Sequence, residues 1–498
     1  MALLFLYLTG FIKTFKLTDI MIMSFKGNYF PGLVILLLQA LLFTELNVAS
    51  DTGNRPDTEA AELLSAYVQI PSVSGQEKEA GVFLESFCRE NGLYTRIFTD
   101  QEDSFNFAAS LYPLDQQKPN IVFLTHIDVV PAGDEQGWTY PPFSGKIADG
   151  MVWGRGAIDN KALGVMQLMA ILRYKDLAHE TDLPYNVSLL AVSGEETGGN
   201  KGARIIASEY LEELNPVVVY GEGGAGVNGL LPSRPDLTVF GIEVVQKRRM
   251  FLEVISDATT SGHGSIPREV YSTREVTAAC NALIEAIPNI SVSPTVSETF
   301  IHLSDYESGL VRRMMKNVDF FAPLFGRFIR RDPISSSMLT NTMVLTSISS
   351  AEGAYNQIPT HTRAVFDCRL LPDTDEEEFL EEVKRIVSPW EVSVNVLASS
   401  PPAPVSEQGM YFRALKESLY SVFGEVEVVP FLFVAINDNR FFRRRGIPSY
   451  GLLPAIMPEE LMESIHYFDE RFPVGGLNKG IEVYVNLIYN ILNQTNEF

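Results

Sequence analysis

Five short segments concentrate side chains that can bind a metal or move a proton, each beside a glycine or at the end of an apolar run. They are LTHIDVVP with His126 and Asp128, GRGAIDNK with Asp159, SGEETGG with Glu195 and Glu196, VVVYGEGG with Glu222, and ESIHYFDER with His466. In an extended segment residues two apart point to one side, so Asp128 can support the His126 ring while that ring binds a metal. Two histidines and three carboxylates make a donor set suited to two zinc ions bridged by one aspartate. Such a pair activates water and stabilises a tetrahedral oxyanion. Glu195, outside the ligand set, can take the proton from that water and hand it to a leaving nitrogen. Singly, each acid reads as solvated charge. The weight comes from histidine, of which the chain has six, at 126, 179, 263, 302, 361 and 466. His179, His302 and His361 read as ordinary surface or core residues. GHGSIP lacks the flanks of a nucleophile elbow. Cys88, Cys280 and Cys368 sit in helix or strand patterns that suit burial, which argues against a cysteine hydrolase and a disulfide scaffold.

Apolar runs at 121–125, 187–193 and 216–220 read as buried strands, and 57–69, 76–91, 162–174 and 201–213 as helices. This alternation predicts an α/β fold with a central, mostly parallel sheet covered on both faces. Its strand ends gather loops around one crevice, where distant residues meet. Near residue 240 the texture changes. RRMFLEVISDAT, TNTMVLTSI, HTRAVFDCRLL and WEVSVNVLA read as strands, and 269–287 and 375–388 as helices, a small α+β sandwich that SSPPAPVS closes. Helical periodicity returns at 410–422 and 478–492. The expected division is a catalytic domain in two parts, 51–238 and 401–498, interrupted by a lid or dimerisation domain at 239–400. Residues 296–333 are extra material, a partner surface or a lid.

The 498 residues carry 39 Lys+Arg against 62 Asp+Glu, a net charge of −23, which argues against nucleic acid as a partner. Residues 1–50 are far more apolar than the rest. The run at 30–43 is short for a membrane-spanning helix and suits a signal-peptide core, with Val48 and Ser50 small enough for a cleavage site. We expect a signal peptide or membrane anchor, hence a secreted or membrane-associated protein. Asn186, Asn289 and Asn493 lie in glycosylation sequons.

In order and wording, HIDVVP, GRGAIDNK, SGEETGG, GEGG and the late histidine resemble the two-zinc peptidase and amidohydrolase family of aminoacylase and glutamate carboxypeptidase, over about residues 60–490. GWTYPPFSG at 137–145 is similar to the branch of carboxypeptidase S and secreted fatty-acyl amino-acid hydrolases. The resemblance implies a zinc-peptidase fold with His126, Asp159 and Glu222 on one zinc and Asp159, Glu196 and His466 on the other. Cobalt or manganese would substitute in assays. It implies Glu195 as general base and Asp128 as the partner of His126. SGHGS resembles a lid motif that brings His263 to the scissile carbonyl, often from the second subunit of a homodimer. Asn356 in YNQIP and Arg369 in FDCRL resemble the residues that hold a substrate carboxylate. Three departures stand out: Ile436-Asn437-Asp438-Asn439-Arg440 where the family has Gly-Thr-Asp-x-Arg, which places Asn437 on the pocket floor; Tyr467 where glycine follows the last histidine; and Gly221 where an acid precedes Glu222. The implied activity is zinc-dependent hydrolysis of an amide next to a free α-carboxylate, by a carboxypeptidase or N-acyl-amino-acid hydrolase acting on a small peptide or N-acyl amino acid. A dipeptidase or aminopeptidase of the same fold, or a non-catalytic binding protein, are the rivals.

Overall fold

Every residue of β3 (Asn120–His126) and β4 (Asn186–Val192) is buried, and alternate side chains go to opposite faces of the sheet. Ile121, Phe123, Leu189 and Ala191 enter one core, Val122, Leu124, Leu190 and Val192 the other. A strand flanked by two cores needs an apolar residue at each position, which is why these segments read as continuous runs. The computed structural model describes residues 56–494 apart from 258–260, 267, 287–288 and 327–332. The expected leader at 1–50 lies outside the described residues. Among those described, no helix is long and apolar enough to cross a membrane.

The large sheet has eight strands. In chain order the others are β1 (Tyr94–Gln101), β2 (Ser104–Ser110), β5 (Pro216–Val227), β6 (Thr238–Gln246), β11 (Val426–Phe433) and β12 (Ser449–Ile456), and the spatial order is β1-β2-β4-β3-β5-β12-β6-β11. The pairs β3–β4, β3–β5, β5–β12 and β6–β11 are parallel. Helices at Pro56–Val68, Leu163–Leu172, Met410–Phe423 and Val474–Gln494 fill the larger core through Leu64, Met166, Leu415 and Leu487. On the opposite face Ile206, Phe441 and Phe442 pack beneath the sheet.

The small sheet is antiparallel, in the order β8 (Thr342–Ser350), β9 (Thr362–Leu370), β7 (Arg248–Ser256), β10 (Ser393–Ser399). One face carries the helices Ser272–Glu285 and Glu376–Val387, whose Val276, Cys280, Val383 and Val387 close a separate core. Burial alternates strictly along β7 and β9, as a half-covered sheet requires.

Four expectations need correcting. The boundary at 238 falls at the first residue of β6, a strand of the large sheet, and the small sheet starts at Arg248. The extra segment packs on the large sheet rather than the sandwich: Val296, Phe300 and Leu303 enter the main core, and the Thr299 hydroxyl donates to the Pro430 carbonyl of β11 at 2.6 Å. It therefore covers what would otherwise be an open sheet edge. The helix over 201–213 breaks at Tyr210 into Ala203–Glu209 and Leu211–Leu214. Asn186 is no glycosylation acceptor: it is buried, with its side chain bonded in both directions to the Tyr112 backbone.

Candidate active site

His126 ends β3, and its Nε2 lies 3.0 Å from Asp159 Oδ1 and 3.4 Å from Glu222 Oε2. The Nε2 of His466 lies 3.1 Å from Asp159 Oδ2 and 3.2 Å from Glu196 Oε1. Asp159 thus presents one oxygen to each histidine. Two groups of donor atoms draw together within 4.8 Å, His126 with Glu195 and Glu222, and His126 with Asp159 and Glu196. His126 is buried, whereas the His466 side chain is 48% exposed, so one side of the cluster opens to solvent. Glu195 is the carboxylate of this group that no histidine nitrogen approaches within ion-pair range.

The local chain explains these positions. Asp159 follows a turn at Gly156, whose positive φ suits glycine and whose absent Cβ leaves room for Val129. That turn is held by Glu470, a buried acid absent from the expected set. Its carboxylate accepts from the amides of Gly156, Ile158 and Asp159 and from Arg155 Nη1 at 2.7 Å, so it ties the Asp159 turn to the His466 loop. The only signal for it in the sequence is an acid four residues after His466. Asn160 was also missed: its amide donates to Glu222 Oε2 at 3.2 Å and its carbonyl accepts from the Thr125 hydroxyl at 2.5 Å.

Asp128 corrects an expectation. The Nδ1 of His126 bonds the backbone carbonyl of Asp128 at 2.8 Å, while the carboxylate stands 3.7 Å away. That carboxylate instead accepts from the amides of Glu195 at 3.0 Å and Glu196 at 3.2 Å and from the Ser74 hydroxyl at 2.7 Å. One residue orients the ring through its main chain and the acidic loop through its side chain.

Asn437 is corrected too. It is fully buried, and its amide donates to the Glu222 carbonyl at 2.9 Å and to Glu243 at 3.3 Å. It braces β5 below the cluster and offers nothing to a pocket. His263 and Asn356 do meet, Nε2 to Nδ2 at 2.8 Å, at an exposed two-residue strand pair, yet their side chains bond each other and Ser265 rather than the metal cluster. Arg369 is engaged by Asp367, Nε to Oδ1 at 2.9 Å and Nη2 to Oδ2 at 2.8 Å, which leaves its Nη1 edge for another acceptor.

The electrostatics fit divalent cations. Asp159, Glu195, Glu196 and Glu222 crowd together, and among the described residues no lysine or arginine pairs with them. Burial, with Glu222 and Asp438 adding repulsion, pushes Glu195 well above the usual carboxylate range. Hydrogen bonds donated to Asp159 and Glu196 lift His466 to about 10. Asp438, nearly buried with neither oxygen hydrogen-bonded, is pushed by burial up to about 7. Buried acids without cations of their own are costly, and nitrogen and oxygen donors so arranged suit zinc. A cavity of about 10 Å³ lies between His126, Asn160, Glu195, Glu222 and Asp438.

This fold and cluster define a two-metal hydrolase. The chain belongs to peptidase family M20/M25/M40, whose model matches residues 122–490. It is 29% identical to the mouse N-fatty-acyl-amino acid synthase/hydrolase PM20D1 over 448 residues, 86% of this chain and 87% of that protein. It is 28% identical to the probable carboxypeptidase S-like 2 of Dictyostelium discoideum over 392 residues, 76% of this chain and 72% of that protein. The M20 family metallo-carboxypeptidase Sso-CP2 of Sulfolobus solfataricus shares the fold, with a TM-score of 0.65 at 19% identity over 87% of this chain and 99% of that one. The chain is an enzyme that hydrolyses amide bonds next to a carboxylate with a two-zinc site.

Proposed function

We propose that the substrate is an N-acyl amino acid, cleaved to the free amino acid and the acyl acid. Peptides with a free carboxyl end are the second class, favoured by the similarity to a carboxypeptidase S-like protein. The observation that carries the reading is Asp159, one oxygen at each histidine, beside a Glu195 that neither histidine touches. The similarity to N-fatty-acyl-amino acid synthase/hydrolases supports an acyl group.

His126, Asp159 and Glu222 would hold one metal, and Asp159, Glu196 and His466 the other. When bound, the pair supplies Lewis-acid polarisation of the carbonyl and acidifies water. Glu195, its carboxyl raised by burial, takes the proton of the attacking water at one oxygen and returns it to the leaving nitrogen. Asp128 keeps Glu195 and Glu196 aimed by holding both their amides. Arg369, steadied by Asp367, offers its remaining edge to the substrate carboxylate. His263 and Asn356 move as a hydrogen-bonded pair and reach the substrate when the small domain closes or from a second copy of the chain. The apolar start of the sequence supports export or membrane association.

The test is a panel of N-acyl amino acids, free dipeptides and carboxyl-amidated analogues, assayed with and without chelator. We expect acylated free acids to be cut fastest, amidated analogues poorly, and Arg369→Met to remove that difference. Equal cleavage of amidated and free-acid substrates would overturn the carboxylate requirement.

A further inference from the structure

In a chain with a net charge of −23, one cavity is lined by five arginines and no acid. It measures about 450 Å³ and lies between the two domains. Arg204, Arg440, Arg444 and Arg445 come from the large domain, Arg249 from β7 and Ser399 from β10 of the small one. No proposed metal ligand lines it. The volume falls in the range of small-molecule sites.

Three of the guanidiniums are held by neutral acceptors, which do not offset their charge. Arg440 donates to the Asn437 carbonyl and to the Gly198 carbonyl at 2.7 Å. Arg444 donates to the carbonyls of Pro401 and Pro402, and Arg204 to Asn200 Oδ1 at 3.0 Å. Among the described residues, the one carboxylate in ion-pair range of any of them is Asp438, 4.0 Å from Arg440. Burial and the like charges of Arg440, Arg443 and Arg248 pull Arg444 down to about 10. Burial, Arg440 and Arg369 likewise lower Arg249. Cations packed this way repel one another until an anion enters, and planar guanidiniums at several angles suit oxyanions.

We propose that this interdomain cleft is a binding site for a small polyanion carrying at least two phosphate, sulfate or carboxylate groups, separate from the metal centre. The ligand bridges Arg249 of the small domain to Arg204 and Arg445 of the large one. Through Arg440 and Gly198 it abuts the turn that begins at Glu195, whose carbonyl accepts from the Gly198 amide at 2.7 Å. The site does not depend on which amide the enzyme cleaves.

Benzene-1,3-disulfonate, a weak metal ligand, serves as the probe, titrated by calorimetry into the zinc-loaded full chain at constant low ionic strength. Arg204 and Arg445 are exposed, so Arg204→Gln/Arg445→Gln leaves the core intact. We expect the probe to bind the parent protein, the double glutamine variant to bind at least about tenfold more weakly, and the double lysine variant to bind in between. Basal hydrolysis and melting temperature in the glutamine variant should match the parent. Absence of binding in the millimolar range, equal binding by the glutamine variant, or displacement of the probe by saturating substrate would each overturn the proposal.

Discussion

Asp128 illustrates how much of this site hangs on single atoms. Both its oxygens accept from amides of the acidic loop, so Asp128→Asn would turn a donor toward a donor at Glu195 or Glu196. We expect zinc affinity to fall about 10–100-fold, as for other groups that orient metal ligands, measured by competition with a chromogenic chelator. Unchanged affinity would show that the loop is positioned otherwise. Glu195→Gln is expected to keep both metals, because neither histidine depends on it, and to lose about 10²–10⁴ in turnover. Metal analysis beside kcat separates the two effects, and a loss of zinc would make Glu195 a ligand rather than a base.

At the scale of elements, the join between β6 and β7 holds the most informative residue. Lys247 is buried there and donates to the carbonyls of Ser337 and Thr340 at 3.0 and 2.9 Å, fastening the segment just ahead of β8 to this join. Burial, with Arg369 adding repulsion, lowers its pKa to about 7. Between that value and its ordinary 10.5 the folded lysine is neutral while the unfolded one still carries its proton. Unfolding then takes up a proton, so this residue makes stability rise with pH across that window. In Lys247→Met the rise between about pH 7.5 and about pH 9 should be smaller than in the parent, read from urea midpoints. Equal slopes would mean that the lysine stays charged in the fold. The sequence pattern located β7 and β9, whose alternate burial leaves a period of two. It misplaced the start of the small domain because β6, buried throughout, and β7 are separated by Lys247 alone and carry no turn signal between them.

For the whole molecule, the metal cluster is also a clasp. Its side chains come from both halves of the interrupted catalytic domain, His126 to Glu222 on one side of the insertion and His466 on the other. Metals that bind this arrangement but not the unfolded chain stabilise it by about 4 kcal/mol at a thousandfold excess over Kd. Exhaustive chelation should therefore lower the melting temperature by on the order of 10 °C for domains of this size, and zinc should restore it. A melt indifferent to chelator would disconnect the cluster from metal. Glu470 and Arg155 form an interior ion pair across the same join.

The sequence alone determined the chemistry: six histidines, two of them beside acids and glycines, and strands apolar enough to be buried on both faces. Those are local properties, written in residue type and spacing. Tertiary structure decided which atoms meet. It sent the Asp128 carboxylate to two backbone amides, buried Asn437 under β5, and drew Glu470 beneath the Asp159 turn. It also gathered five arginines into one cleft of an acidic protein. Hydrogen bonds between residues tens to hundreds of positions apart leave no periodicity to read, because their partners are chosen by the packing of the elements that carry them.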